Sequence, residues 1–142
     1  MLVDTISIVP VVETENGNEI YQIPFPSNAS LYGEVIPRIR TLERKYSSVE
    51  IWAVNQDGMK IRKLWDQSCS MKESETRFIR FSLSGIWVEI HPKMLVYGDV
   101  IKMFEPDGTP VCLFSTNEEP CYVAVVKNVN VDWSGQCILT LE

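Results

Sequence analysis

Acid–base chemistry has little to work with in this 142-residue chain, because His91 is its only histidine. Any Ser–His or Cys–His device would have to use it, and no G-x-S-x-G turn is present to hold a serine nucleophile. The cysteines, Cys69, Cys112, Cys121 and Cys137, lie too far apart for a CxxC or zinc-ribbon site. Each of the seven glycines is accounted for by a turn, a strand end or the start of a helix, which leaves no phosphate-cradling loop. No D-x-D-x-D-G stretch offers the converging oxygens that Ca²⁺ or Mg²⁺ needs. No cofactor or metal is expected. Apolar runs stay well short of the ~18 residues that a membrane span requires. The N-terminus, MLVDTISIVPVVETE, lacks the basic region of a secretory signal and reads as a first strand. Lysine and arginine are missing altogether before Arg38.

These absences point to a soluble, cytoplasmic protein with reduced cysteines, and to binding rather than catalysis. The composition, 45% hydrophobic and 23% charged, is that of an ordinary globular chain. A domain of this size buries roughly 68–70% of its unfolded surface, so it needs neither metal nor disulfide to fold. One domain over 1–142 is the simplest organisation. A subdivision into 1–66 and 77–142 would fall at the polar, alternately charged stretch Asp66–Thr76.

Only Ser30–Tyr46, SLYGEVIPRIRTLERKY, reads as a helix. Val35, Ile39, Leu42 and Tyr46 fall on one face of it, and Arg38, Arg40, Arg44 and Lys45 on the rest. Ser30 or Asn28 can cap it, which is a better use of Ser30 than the formal glycosylation match Asn28-Ala29-Ser30. Pro37 is tolerable within a first turn, where its missing N–H would have had no partner. About three turns are expected.

The remainder reads as five β-hairpins. Residues 5–13 and 19–25 flank Asn16-Gly17-Asn18, and 49–54 and 59–65 flank Asn55-Gln56-Asp57-Gly58. Residues 77–83 and 86–90 flank Ser84-Gly85, and 99–104 and 110–114 flank Glu105-Pro106-Asp107-Gly108. Residues 121–131 and 136–141 flank Asp132-Trp133-Ser134-Gly135, and 121–131 is expected to be a central strand. Pro10 cannot donate to a ladder, so it marks a sheet edge or a bulge, and an open edge there would allow a homodimer. The fold class is α+β and β-rich, with one amphipathic helix packed on a mixed sheet. The opening order strand–strand–helix–strand resembles a β-grasp arrangement, which could continue as a small barrel.

The net charge of −6 conceals an asymmetry. Between Pro37 and Lys63 the basic residues Arg38, Arg40, Arg44, Lys45, Lys60, Arg62 and Lys63 outnumber Glu43, Glu50 and Asp57. Both ends of the chain are acidic. Nucleic acid is an unfavourable partner, because phosphate affinity rests on net neutralisation by Lys and Arg. A protein partner docking on the basic helix and hairpin is the favoured expectation. Trp133, set in a turn, would join that surface as an exposed anchor. A small viral or mobile-element protein that blocks a host factor would fit such an acidic, motif-free chain.

Two other readings stand beside it. Arg77, Arg80 and Trp87 could hold an anionic or nucleotide-like ligand on a β-domain. The cyclic-dinucleotide PilZ pattern is not met: the arginine spacing is one short, and Ser82 stands where Asp or Asn belongs. A small hydrolase or transferase would have to employ His91, with Glu89 two residues away on the same face. The paired carboxylates Glu118-Glu119 and Glu105/Asp107 sit in loops, where solvation explains them.

Overall fold

A computed structural model describes residues 5–69, 77–116, 119–132 and 137–142, apart from the side chains of Glu43 and Thr116. The fold is β-rich α+β, with a helical segment packed against strands. The chain divides into two units, residues 1–69 and 70–142, each with its own five-stranded sheet. Every strand pair among the described residues is antiparallel, so the parallel pairing that a mixed sheet requires does not occur in them. Both five-stranded sheets are open, and no closed barrel forms.

In the first unit β1 (Ser7–Glu13) lies between β2 (Glu19–Tyr21) and β4 (Ser48–Val54), with β5 (Lys60–Asp66) beyond β4. The chain also returns to β1 through β3 (Phe25–Pro26), opposite Ser7 and Ile8. Pro10 therefore sits in a central strand rather than at an edge. Its carbonyl accepts from the Gln22 amide at 2.9 Å, so its donor-less nitrogen faces the same side. That side is where β2 has stopped and β3 has not begun. The irregular stretch Gln22–Pro24 is thus where the missing hydrogen bond is absorbed. β1 is apolar and buried through five consecutive residues because both of its faces are covered.

The helix is shorter and less regular than its apolar spacing suggests. Leu31–Val35 forms a π-helical turn, Ile36–Ile39 (α1) an α-helical one and, after a break, Leu42–Arg44 a 3₁₀ turn. Ser30 Oγ accepts from the Gly33 amide at 3.0 Å and caps the start. Val35 donates to the Ser30 carbonyl and Ile36 to that of Leu31, both five residues back. Pro37 follows immediately and can make no such bond, so the widened turn is the local answer to a proline inside the first turns. Leu31, Val35, Ile36 and Ile39 are buried, while Leu42 and Tyr46 are half-buried.

The second unit orders its sheet β12-β11-β8-β6-β7, from β6 (Phe78–Leu83), β7 (Ile86–Ile90), β8 (Val100–Phe104), β11 (Ala124–Val131) and β12 (Cys137–Leu141). Ile79, Phe81, Val88, Ile90, Ile101, Ala124 and Val126 form its buried face. The fourth expected hairpin closes at its turn but does not extend into a full ladder of 99–104 with 110–114. β8 is already bonded to β6 and, through Val100 and Ile101, to β11. The hairpin's two arms are joined by the turn bond from Glu105 N to Thr109 O, a bridge between Phe104 and Pro110 and the bond from Val111 N to Met103 O. Residues after Leu113 instead make a separate two-stranded sheet, β9 (Phe114–Thr116) with β10 (Glu119–Cys121).

β11 lies between β12 and β8, with a bulge at Lys127. The extra residue reverses the alternation: Val129 and Val131 join the face of Val126, while Asn128 and Asn130 are exposed on the other. No helix among the described residues is long and apolar enough to cross a membrane.

Candidate functional site

The basic residues between Arg38 and Lys63 separate into two groups with different electrostatics. On β5 two bulges leave Ile61 and Leu64 unpaired with β4. The result sets Lys60, Lys63 and Asp66 opposite Val54, Trp52 and Glu50, so all six share one face of the sheet. A spacing of three thereby does what a spacing of two does in a regular strand. Glu50 Oε1 accepts from Trp52 Nε1 at 3.0 Å, and Lys63 reaches Glu50 at 3.5 Å and Asp66 at 3.0 Å. Lys60 lies 4.8 Å above the Trp52 ring and pairs with Glu19 of β2. β2 and β5 end opposite sides of the strand order, so the sheet curls to bring them together over Val9, Val11 and Val54.

These pairs alter the ionisation of their members. The hydrogen bond to Glu19 raises the Lys60 pKa above the ordinary lysine value, against the opposing effect of partial burial. The Lys63 pKa is raised by its hydrogen bond to Asp66, with the charges of Asp66 and Glu50 adding. Burial pushes the Asp66 carboxyl up, but donation from Ser68 and Lys63 outweighs it and holds the group below its ordinary value. The β5 lysines are consequently neutralised within the fold. Arg62 is half-buried on the opposite face, beside Ala53 in register.

The helical segment differs. Arg38, Arg40, Arg44 and Lys45 are exposed. The Arg38 guanidinium lies 5.2 Å from the Phe25 ring centroid, and Lys45 Nζ lies 6.0 Å from that of Tyr46. No ion pair among the described residues involves any of the four. Trp133 lies outside the described residues, as does the Ser134-Gly135 turn.

The second unit brings together part of the anion-site trio. Register places Phe78, Arg80 and Ser82 of β6, Trp87 and Glu89 of β7, and Lys102 and Phe104 of β8 on one face. Arg80 sits directly between Glu89 and Lys102. Ser82 is small, and across it Lys102 Nζ reaches 4.4 Å from the Trp87 ring centroid. Phe78 and Phe104 stack at 5.2 Å, with Arg80 5.9 Å from the Phe78 ring. Arg77 is not part of this face. It pairs with Glu105 at 2.9 Å at the end of the strand.

Lys102 is not among the expected site residues, and Glu89 is expected only beside His91, not beside Arg80. The alternation Trp87-Val88-Glu89 carries the signal for Glu89, and Lys102 becomes visible only once β8 is registered against β6. Glu89 and His91 are buried, 1% and 5% exposed. His91 Nδ1 accepts from the Lys93 amide at 3.1 Å and caps the 3₁₀ turn Pro92–Met94, which gives it a structural task. No cluster of metal-ligating side chains occurs among the described residues.

Comparison with protein-family models, curated proteins and solved structures returns no match.

Proposed function

We propose that this chain is a non-catalytic protein-binding module whose exposed helical cations, Arg38, Arg40, Arg44 and Lys45, dock an acidic segment of a partner protein. One observation supports this most: Lys60 and Lys63 are neutralised by Glu19, Glu50 and Asp66, while Arg40 and Arg44 have no carboxylate partner among the described residues. Cations left unpaired on an otherwise acidic protein create a local field that attracts carboxylates and orients them. The acidic remainder of the chain disfavours nucleic acid at the same surface. Cys69, Cys112, Cys121 and Cys137 form no disulfide with one another, which fits a reducing, cytoplasmic setting for the interaction. A block on a host factor by a small viral or mobile-element protein is one form such binding would take.

The test is titration of a fluorescent glutamate-rich peptide against the protein at increasing salt. Binding that weakens as ionic strength rises is the expected result. No binding at low salt would overturn the reading.

A second reading rests on the adjacency of Arg80 and Lys102. Two cations directly across a strand pair repel. Glu89 flanks Arg80 from the other side, so an added anion would sit toward Lys102 and Trp87, whose ring centroid lies 4.4 Å from the Lys102 ammonium. This favours a small planar anion at that face. Nucleotides should raise the melting temperature of the wild type and not of Lys102→Met; an unchanged melting temperature in the wild type would exclude it.

A further inference from the structure

The two five-stranded sheets end on edge strands, and all but one of these carry features that oppose pairing with another chain. β2 is three residues long and holds Glu19. β5 carries Lys60, Arg62 and Lys63 and two bulges. β7 contains Glu89 and leads through His91 into Pro92. Shortness, charge, bulges and proline are the usual means by which an edge is kept from recruiting strands. β12, Cys-Ile-Leu-Thr-Leu, has none of them, and the bulge in its hairpin lies on β11.

The backbone of β12 is also oriented for pairing. Val125 and Glu142 exchange both main-chain bonds, at 3.0 and 2.9 Å. Alternation along an antiparallel strand then turns the amides and carbonyls of Leu141 and Leu139 away from β11. On the β8 side the Val126 amide still donates to Asp99 O and its carbonyl accepts from Gly98 N, and the Pro92–Met94 turn packs near both β11 and β12. Past Val126, β11 makes no further main-chain bond to the β8 side among the described residues. Ile138 is 51% exposed and Val131 49%. Cys137, Leu139 and Leu141 extend the row of the buried Val126 but are themselves only half-buried, and no strand among the described residues pairs with the outer side of β12.

We propose that β12 is a self-association edge, to which a second copy of this chain adds antiparallel about a twofold axis at Leu139. In that register Leu139 faces its own counterpart, Cys137 faces the counterpart of Leu141, and Ile138 faces that of Thr140. Outward-facing pairs would exchange about six main-chain hydrogen bonds. The half-buried row Cys137–Leu139–Leu141 becomes continuous across both copies.

Charge favours a second copy as the occupant. Copies of a −6 chain can meet only where carboxylates are absent or neutralised. β12 bears no charge, and the nearest, Glu142, pairs with Lys127 at 3.6 Å. β5 is interrupted by two bulges and its lysines are already engaged with Glu19, Glu50 and Asp66, so it offers no continuous ladder to a second copy. A twofold contact uses each edge once, so association stops at the dimer. This proposal is independent of the acidic-partner reading.

Sedimentation velocity of the full chain under reducing conditions, from micromolar to near-millimolar concentration, tests it. The wild type should shift from monomer to dimer mass. The double substitution Ile138→Lys/Thr140→Lys, at two exposed positions that face each other across the contact, should weaken the dimer by about tenfold or more through facing charge, with an unchanged circular dichroism spectrum. Arg62→Gln should have no effect. A monomer at all concentrations, or a dimer indifferent to the double lysine substitution, would overturn the assignment.

Discussion

The Lys60 ammonium lies 4.8 Å above the Trp52 ring and is ion-paired with Glu19, a residue two strands beyond Trp52 in the sheet order. This contact ties the two margins of the first sheet together over the cluster of Val9, Val11 and Val54. It also decides the electrostatics of the region, since a lysine held in this way is not available to a partner.

A pH titration should expose that tie. The folded Lys60 pKa is raised above 10.5 by the Glu19 hydrogen bond. The resulting stabilisation is therefore complete below 10.5 and lost as pH rises through the folded value. Denaturant midpoints measured from neutral to strongly alkaline pH should fall more steeply for the wild type than for Glu19→Gln. Parallel curves would mean that the pair contributes nothing.

Trp65 tests a different balance. It is almost fully buried, and its Nε1 has no acceptor among the described residues. Removing an unsatisfied buried donor recovers about 1–3 kcal/mol of desolvation, which offsets the volume lost on truncation to phenylalanine. Trp65→Phe should cost less than about 1 kcal/mol in chemical denaturation, whereas Trp65→Ala should cost about 3–5 kcal/mol. Equal losses would show that the N–H is satisfied.

The β6–β7 turn holds a small reserve of strain. Ser84 has φ 52°, followed by Gly85 at 81°, which is the two-residue geometry that favours Asn-Gly. Ser84→Asn should raise stability by about 0.5–1 kcal/mol. A loss on this substitution would imply that the serine side chain makes a contact asparagine cannot.

Much of the architecture follows from residues visible in the chain. The Asn16-Gly17, Asp57-Gly58 and Ser84-Gly85 turns between apolar runs mark three hairpins correctly, because positive φ is a strictly local demand. Apolar spacing marks the buried side of the helix in part: of Val35, Ile39, Leu42 and Tyr46, the first two are buried and the last two half-buried. The departures in strand alternation share one cause. Bulges at Ile61, Leu64 and Lys127 each shift the alternation by one residue, and nothing local in the sequence announces them. The neutralised cluster of Lys60, Lys63 and Asp66, and the exposure of Asn128 and Asn130, depend on those shifts. Pro10 misleads for a related reason. Its missing donor is accommodated by the interruption between β2 and β3, a tertiary arrangement rather than an edge.

The distinction between neutralised and unpaired cations carries the functional account, and one comparison tests it most directly. Binding of the glutamate-rich peptide should be measured for the wild type, for Arg40→Glu/Arg44→Glu and for Lys60→Gln/Lys63→Gln, with thermal unfolding recorded for each. The account predicts that the arginine reversal abolishes binding at nearly unchanged melting temperature, while the lysine pair lowers the melting temperature and leaves affinity almost intact. Undiminished binding by Arg40→Glu/Arg44→Glu would contradict it.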